Sequence, residues 1–259
     1  MRFCSLGSGS SGNALVIEAG GGVTRSRVLV DCGFSQREFE SRLARAGLVP
    51  SDLHAVFVTH EHGDHVGSAV TLARRHGLAL WMSHGTWRAV GKPSLPGDLM
   101  RFARDGEAIV VGDLELQPFT VPHDALEPLQ LACTDGQRRL GVLTDTGAST
   151  PHLLARLQQC NALVLECNHD RSLLAKSRYP ASLKARIGGE YGHLANDSAA
   201  QILAQCIHPG LRHVVAAHLS RENNSPTLAA EVLSVACGGQ PRDIVVADPL
   251  TGVDWLTIT

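Results

Sequence analysis

The strongest signal in the chain is Thr59-His60-Glu61-His62-Gly63-Asp64-His65, in which three histidines and an aspartate fall within six positions. The apolar run before it, residues 55–58, is typical of a buried strand, and residues 66–76 after it have the pattern of a helix. Histidine and carboxylate side chains are costly to bury unless they are paired or coordinated. Four of them at a strand-to-helix junction therefore favour a metal site over a polar turn that happens to be rich in histidine.

The bulk composition is that of an ordinary globular domain. The chain has 259 residues, of which 44% are apolar and 19% are charged, and its formal net charge is −2. A chain of this length buries a core without crosslinks, and we predict one domain over residues 1–259. The overall charge gives no indication of a nucleic acid or a membrane, although it is compatible with a local basic groove.

Cysteine usage and the N-terminus bear on the compartment. The seven cysteines form no C-x-x-C pair, their number is odd, and most lie inside apolar runs. This favours reduced thiols in a cytosolic protein over a disulfide framework. Residues 1–5 lack the apolar core of a signal peptide, and no apolar stretch approaches the roughly 18 residues that cross a bilayer. We expect a soluble, cytoplasmic protein with no membrane partner, and the oligomeric state is left open.

Short runs rich in valine, isoleucine and leucine alternate with longer helical patterns. Strands are predicted at residues 2–6, 14–18, 27–31, 55–59, 78–82, 108–111, 114–121, 129–133, 140–145, 162–166, 213–217 and 243–246, and helices at 35–46, 64–76, 151–158, 179–187, 196–206 and 225–236. Asp135-Gly136 between two strand patterns indicates a hairpin. The mixture predicts an α/β protein whose sheets lie between helices. Residues 91–106 are the least regular segment and are predicted to be a loop or a flap near the site.

Three further candidate ligands follow predicted strands later in the chain, namely His123, Asp145 and His218. Functional sites collect at the carboxyl ends of strands in such sheets. The resulting five imidazoles and two carboxylates suit Zn²⁺, Mn²⁺ or Fe²⁺ better than Ca²⁺ or Mg²⁺. They exceed the four ligands of one tetrahedral zinc. They suffice for two ions about 3.5–4 Å apart that share a bridging carboxylate and a bridging hydroxide.

The pattern H-x-H-x-D-H after a buried strand, followed by the later His, Asp and His, resembles the metallo-β-lactamase superfamily. The resemblance implies an αββα four-layer sandwich with a dinuclear site at one edge of the paired sheets. The implied ligands are His60, His62 and His123 for the first metal, Asp64, His65 and His218 for the second, and Asp145 as the bridge. An aspartate at the bridging position resembles the hydrolase and phosphodiesterase branches, whereas true β-lactamases carry cysteine there.

Two further signatures narrow the resemblance. The first, Ser8-Gly9-Ser10-Ser11-Gly12-Asn13, is a Gly/Ser turn that forms either an anion nest or a plain hairpin loop. The second is a C-terminal series that contains Glu166-Cys167-Asn168-His169-Asp170, Tyr179-Pro180, Gly192-His193-Leu194-Ala195-Asn196 and His218-Leu219-Ser220-Arg221-Glu222-Asn223-Asn224. Together they are similar to the YycJ/WalJ-like branch, whose members are assigned as exonucleases or phosphodiesterases acting on DNA. Ala195 departs from the branch, where serine is more common.

The resemblance implies metal-assisted hydrolysis of a phosphodiester, with a metal-bridging hydroxide as the nucleophile. Asp64 is expected to be a ligand that also orients or deprotonates this nucleophile. His193 is the candidate proton donor to the leaving alkoxide, against the plain alternative of a surface histidine. The expected substrate contacts are Ser10, Ser11, Asn13, Asn168, Arg221 and Asn223. Lys184 and Arg186 are expected to be solvated charges.

The function expected from the sequence is therefore that of a dinuclear-metal-dependent phosphodiesterase acting as a DNA exonuclease. Its cofactors would be two divalent ions, Zn²⁺ first, with Mn²⁺ or Fe²⁺ as alternatives. One alternative is a hydrolase of a small cyclic phosphodiester, a thioester or a lactone at the same site, and another is a metal-binding regulatory protein with little turnover. Aromatic residues make up only 4% of the chain, so no stacking platform for single-stranded bases is evident.

Overall fold

The computed structural model describes residues 1–20 and 24–259, and within these ranges fourteen strands form two sheets. The strands are β1 (Arg2–Gly7), β2 (Ala14–Ala19), β3 (Ser26–Val30), β4 (Ala55–Phe57), β5 (Ala79–Met82), β6 (Met100–Phe102), β7 (Ile109–Val111), β8 (Leu114–Thr120), β9 (Leu129–Thr134), β10 (Arg139–Leu143), β11 (Ala162–Glu166), β12 (His213–Ala217), β13 (Val245–Val246) and β14 (Val253–Thr257). One sheet has the order β14-β1-β2-β3-β4-β5-β6 and the other β13-β12-β11-β10-β9-β8-β7.

Nine α-helices connect these strands in the described residues. They are α1 (Gln36–Arg45), α2 (Gly63–Val66), α3 (Ala69–His76), α4 (His84–Ala89), α5 (Pro151–Leu157), α6 (Arg171–Lys176), α7 (Ala181–Ile187), α8 (Asn196–Cys206) and α9 (Pro226–Cys237). Short 3-10 turns occupy Pro50–Asp52 and Pro241–Asp243. None of the helices that the structure describes has the length and apolar character needed to cross a membrane.

The core consists of three apolar layers. The middle layer joins the two sheets, with Phe57 of β4 and Leu116 of β8 among its fully buried side chains. A second layer lies between the first sheet and α1 and α3, and a third between the second sheet and α5, α8 and α9. Because both faces of each sheet are covered, the central strands of both sheets are buried along most of their length. The predicted αββα sandwich is confirmed.

Strand direction brings the candidate site to one edge of the sandwich. β3, β4, β5 and β6 run parallel in the first sheet, and β10, β11, β12 and β13 run parallel in the second. His60 follows β4, Asp145 follows β10 and His218 directly follows β12. The carboxyl ends of parallel strands therefore deliver candidate ligands from both sheets to a common edge.

The local predictions differ from the structure in identifiable places. The hairpin at Asp135-Gly136 is confirmed, since it joins the antiparallel strands β9 and β10. The single helix predicted over residues 64–76 is divided into α2 and α3 at Gly67. That residue has φ 32°, and a Cβ there would lie 2.3 Å from the carbonyl oxygen of Cys32. Any side chain at this position would collide with the backbone, so only glycine fits here. The chain therefore turns at Gly67, although the helical sequence pattern continues across it.

Short elements account for the remaining differences. Residues 91–106, predicted to be a loop or flap, contain β6, which adds a strand to the edge of the first sheet. The helices α4 and α6 and the strand β14 were not predicted, because elements of five or six residues give little periodic signal. All seven cysteines lie in the described residues as unpaired thiols, six of them buried, as the sequence predicted.

Candidate metal centre

Three histidine nitrogens converge at the end of β4 and β8. The Nε2 atom of His60 lies 3.0 Å from Nδ1 of His62, and Nε2 of His123 lies 3.2 Å from the same Nδ1. His60 and His62 are two positions apart in extended chain, so their side chains leave the backbone on the same side. Since all three nitrogens can be donors to one ion, they have the arrangement expected for the first predicted metal.

A second group of donors lies beside the first. The Oδ2 atom of Asp64 is 3.3 Å from Nε2 of His218 and 3.7 Å from Nε2 of His65. These three residues again offer donor atoms within the span of one ion. The single turn of α2 produces this arrangement, because Asp64 and His65 leave its first turn while His62 precedes it as the N-terminal cap. The motif thus divides its ligands between two adjacent groups.

Asp145 lies against the second group and within 4.8 Å of a donor atom of His60 from the first. Its Oδ2 atom is 2.8 Å from Nε2 of His65, and its Oδ1 atom is 3.2 Å from Nδ1 of His218. The residue is 1% exposed, and neither carboxylate oxygen has a hydrogen-bond partner among the described residues. A buried carboxylate without hydrogen bonds is costly unless a cation lies against it. The donor set therefore fits divalent metal ions, and the bridging role of Asp145 stays a prediction.

Buried partners hold the histidine rings in place. Nδ1 of His65 lies 2.7 Å from Oδ2 of Asp31, Nδ1 of His123 lies 2.9 Å from the carbonyl oxygen of Gly192, and Nδ1 of His60 lies 3.0 Å from Oγ1 of Thr59. In each ring the Nδ1 contact leaves Nε2 for the centre. Such contacts fix the tautomer and the orientation of metal-binding histidines.

Asp31 was not among the predicted site residues. It directly follows β3, is buried, and has φ 61°. Besides contacting His65, its Oδ1 atom accepts a hydrogen bond of 2.8 Å from the backbone N–H of Thr59. The sequence did carry a signal, because Leu29-Val30-Asp31 is an apolar strand that ends in a carboxylate at the same sheet edge as the motif. Asp31 therefore positions the motif from the neighbouring strand.

We expect Asp31→Asn to weaken metal binding about 10- to 100-fold, the range found when the partner of a metal-binding histidine is removed. Competition for Zn²⁺ against a chromophoric chelator measures the affinity, and circular dichroism checks the fold. Asp113→Asn is the matched control, because Asp113 pairs with Ser26 and contacts none of the candidate ligands. Equal zinc affinities in the two variants would contradict a positioning role for Asp31.

The carboxylates set the charge of the centre. Burial alone would lower the pKa of His65, but Asp145 and Asp31 outweigh it and raise that pKa well above its ordinary value. Burial would likewise raise the pKa of Asp145, but His218 and His65 hold it well below the usual range. The pKa of His60 lies well below its ordinary value because of burial and the neighbouring His65. Metals bind ionised carboxylates and neutral imidazoles, so Asp145 and His60 are already in the states that bind metal, whereas His65 would release a proton on binding.

His193 forms a partly buried acid–base pair with Glu166. The Nδ1 atom of His193 lies 2.7 Å from Oε1 of Glu166 and 3.0 Å from Oδ1 of Asp145. The second oxygen of Glu166 accepts a hydrogen bond of 2.8 Å from the N–H of Thr146. Burial lowers the pKa of His193, but Glu166 and then Asp145 outweigh it and raise this pKa well above its ordinary value. The two carboxylates therefore favour the protonated ring, and Glu166, which sequence reasoning gave no role, is the residue that orients it.

A cavity of about 420 Å³ opens above these groups. Its lining consists of His62, Gly63, Asp64, Asp145 and His218 from the candidate centre, His193 beside them, Ser10 and Asp124 at the rim, and Tyr179, Leu183, Arg186, Ile187 and Gly192 on the remaining side. Asp64 and His193, the two predicted catalytic residues, thus face the same space. A substrate in this cavity would reach both.

The predicted substrate contacts on the Gly/Ser turn are partly accessible. Ser10 is exposed and lines the cavity. Ser11 is also exposed, and its Oγ accepts a hydrogen bond of 3.1 Å from Nη2 of Arg221. Arg221 is exposed as well, so these two residues form a polar pair next to the cavity mouth. Direct contact of Ser10, Ser11 and Arg221 with a substrate stays a prediction.

The three predicted asparagine contacts lie inside the protein. Asn13, Asn168 and Asn223 are buried. The amide of Asn168 donates to the carbonyl oxygen of His218 at 3.1 Å, and that of Asn223 donates to Oγ of Ser220 at 3.3 Å. These bonds position the backbone around the site, and contact of the three asparagines with a substrate stays a prediction.

Asn13 also decides between the two interpretations of the Gly/Ser turn. Its Oδ1 accepts from the N–H of Gly9 at 2.8 Å, and its Nδ2 lies 3.1 Å from Nε2 of His65. The N–H groups of Gly12 and Asn13 bond to the carbonyl oxygens of Gly9 and Asp64. The turn is therefore a hairpin loop between β1 and β2 that is braced against the candidate ligands, and the N–H groups of Gly9, Gly12 and Asn13 are not available to an anion.

Arg186 is exposed, as expected of a solvated charge, but its side chain also has a partner. Its Nε lies 2.5 Å from Oδ2 of Asp124, and it lines the cavity. Lys184 instead donates to the carbonyl oxygen of Ala175 at 2.7 Å. The two positions differ because Asp124, which is distant in sequence, is brought to the cavity rim by the loop that carries His123.

Comparison with known proteins places this geometry among its relatives. The family described as a β-lactamase superfamily domain matches residues 26–219. The curated protein exodeoxyribonuclease YycJ of Bacillus anthracis is 36% identical over 231 residues, which cover 88% of this chain and 86% of that protein. Exodeoxyribonuclease WalJ of Streptococcus pneumoniae is 31% identical over 232 residues, covering 88% and 85%. The solved structure of the metallo-β-lactamase fold protein YhfI from Bacillus subtilis has a TM-score of 0.73 at 16% identity and covers 98% of each chain.

Proposed function

The chain belongs to the metallo-β-lactamase superfamily, and on that premise we propose that it is a DNA exonuclease that hydrolyses phosphodiesters with two metal ions. It is a metal-dependent hydrolase. The proposal of a two-metal exonuclease rests on one observation. Two donor groups with Asp145 beside them lie beneath a cavity that His193 also lines. The names of the two exodeoxyribonuclease relatives support DNA as the substrate.

The residues that would hold the metals are those already described. His60, His62 and His123 are proposed for one ion, Asp64, His65 and His218 for the other, and Asp145 for both. Zn²⁺ is the first candidate for both ions, with Mn²⁺ and Fe²⁺ as alternatives, because all three bind mixed imidazole and carboxylate donors. When bound, such a pair of ions activates water at neutral pH and neutralises charge on a phosphodiester.

The protein's own groups supply positioning and a proton. Asp64 faces the cavity from the rim of the candidate centre, where it can orient a water molecule against phosphorus. Glu166 occupies Nδ1 of His193, which leaves Nε2 as the nitrogen that can donate a proton to the leaving oxygen. General acids of this kind act when they reach the leaving group directly. Accordingly, we assign His193 as the proton donor and Glu166 as its positioning residue.

The cytoplasm is the proposed compartment. Six of the seven cysteines are buried as unpaired thiols, which suits a reducing environment. DNA would be the macromolecular partner there, and it would reach the cavity from its exposed rim.

Hydrolysis of end-labelled linear duplex DNA, with Mn²⁺ or Zn²⁺ supplied, tests the proposal. We expect progressive trimming from an end, no cleavage of covalently closed circular DNA, and loss of activity in a chelated sample and in His62→Ala. Intact linear DNA in the presence of two bound metals would remove the nuclease assignment. Turnover of a cyclic phosphodiester, a thioester or a lactone by the same sample would then identify the alternative hydrolase, and none at all would favour a regulatory protein.

A further inference from the structure

The cavity has two chemically different sides. Candidate metal ligands and His193 form one side, whereas the other is formed by Tyr179 and by residues of α7. Leu183 and Ile187 are four positions apart on α7 and therefore lie on one stripe of the helix. These two side chains and Tyr179 are only partly buried, so their apolar surface is turned to the cavity and is not absorbed by the core. A phosphodiester group alone would leave this surface without a partner.

From this division we infer that the α7 side is a binding site for the base and sugar of one nucleotide, with the ring of Tyr179 as its stacking surface. The inference rests on the proposed function, since it names the part of the substrate that the α7 side of the cavity would bind. Stacking of a base on an aromatic side chain tolerates any sequence because every base has a flat π-face. A stacking surface is therefore suited to an enzyme that removes all four nucleotides.

Arg186 supplies the charge that such a site needs. The guanidinium is held through Nε by Asp124, and Asp124 Oδ1 lies 3.6 Å from Nε2 of His62. The side chain is nevertheless 62% exposed. A guanidinium has two further nitrogens that carry donors, and their planar arrangement matches a phosphate. Arg186 thus lies between the apolar α7 side and the candidate centre. The phosphate attached to a bound nucleoside would lie at this position.

The size of the cavity agrees with a single nucleotide. Its volume of about 420 Å³ lies toward the lower end of the roughly 300–1,000 Å³ typical of small-ligand pockets. A base-paired duplex does not enter such a space, whereas the terminal nucleotide of a strand does. The wall would thereby favour cleavage at chain ends.

The two tyrosines of the chain provide a matched comparison. Tyr179 lines the cavity. Tyr191 is 63% exposed on the loop before His193 and is outside the set of residues that line the cavity. Loss of either ring removes the same chemical group from the same region of the surface, but only the first loss removes the proposed stacking surface.

Calorimetric titration of the metal-loaded protein with deoxyadenosine 5′-monophosphate tests the site without requiring turnover. We expect Tyr179→Ala to weaken binding about 5- to 150-fold, the loss of one base–aromatic stack. Tyr179→Phe should keep the wild-type affinity within about twofold, and Tyr191→Ala should do the same. Inorganic phosphate as a second probe should bind Tyr179→Ala as it binds the wild type, but should bind Arg186→Gln more weakly.

The outcomes separate this inference from the proposed function. Absence of nucleotide binding to the wild type, or equal nucleotide affinity in the wild type and Tyr179→Ala, overturns the site even if DNA is trimmed. A selective loss in Tyr179→Ala supports the site even if no DNA is degraded, in which case only the nuclease assignment falls. Equal losses in Tyr179→Ala and Tyr191→Ala would overturn stacking in the cavity. Should Tyr179→Ala fail to fold, Leu183→Ala removes part of the same wall, and unchanged nucleotide affinity in that variant overturns the site.

Discussion

Asp145→Ala is expected to remove hydrolytic activity, by about 10³-fold or more, and to lower the metal content of the purified protein. The reason is the position of this carboxylate: its two oxygens lie against His65 and His218 of the second donor group, and it is within 4.8 Å of a donor atom of His60 from the first group. Bound metals supply several kcal/mol of charge stabilisation in such reactions. Losing one metal would raise the activation free energy by about this amount, which accounts for the expected loss of rate. Metal analysis per chain and kcat/KM on end-labelled DNA measure the two effects.

Two further variants make the result specific. Asp145→Asn keeps the volume of the side chain and removes only its charge, and we expect it to lose activity as well. Asp197→Ala is the control for losing an aspartate, because Asp197 forms an exposed ion pair with Arg171 and exposed pairs contribute little. Two metals per chain together with normal turnover in Asp145→Asn would contradict the bridging role.

The sequence was sufficient for the fold and for the composition of the candidate site. The seven predicted ligands come together because each follows a strand or opens the first turn after one, and parallel strands share an edge. This arrangement depends only on the order of elements along the chain, which apolar patterning reveals. Ligation of metals by these side chains stays a prediction, to be decided by metal analysis of the variants.

Features that depend on contacts between distant segments were not predicted. The helix breaks at Gly67 because this residue approaches the backbone of Cys32. A helical sequence pattern carries no information about such a contact. Asn168 and Asn223 stand in motifs that suggest substrate contact, yet they are buried and bond to backbone and a neighbouring hydroxyl. The polarity of a residue indicates that it bonds to something, whereas burial decides whether that partner is the protein or a ligand.

The cavity wall illustrates the same limit. A low aromatic content argued against a stacking platform, but one well-placed ring is enough for a single base. Arg186 looked like a solvated charge because the sequence places it on a helix next to Lys184 and gives no sign of Asp124, its partner 62 positions earlier. Composition counts residues, whereas a binding site depends on which few of them face the same space.

His193→Ala is expected to keep the full metal content and to slow hydrolysis of DNA about 10²- to 10⁴-fold, the usual contribution of a general acid. The ring lines the cavity, its Nδ1 is held by Glu166, and its raised pKa favours the protonated form that a proton donor needs. DNA needs this proton because its leaving group is a poorly stabilised alkoxide. Single-turnover rates on labelled DNA, together with metal analysis, measure the effect.

The choice of leaving group separates proton donation from a structural role. The p-nitrophenyl ester of thymidine 5′-monophosphate releases a stable phenolate, so His193→Ala should slow its hydrolysis less than about tenfold if the ring only delivers a proton. A variant that merely distorts the candidate centre would slow both substrates by similar factors. Glu166→Gln should behave like a milder His193→Ala, because it leaves the ring in place but weakens the interaction that keeps it protonated. His152→Ala, which removes an exposed histidine paired with Asp105, should change neither rate, and normal turnover of DNA by His193→Ala would exclude this histidine as the donor.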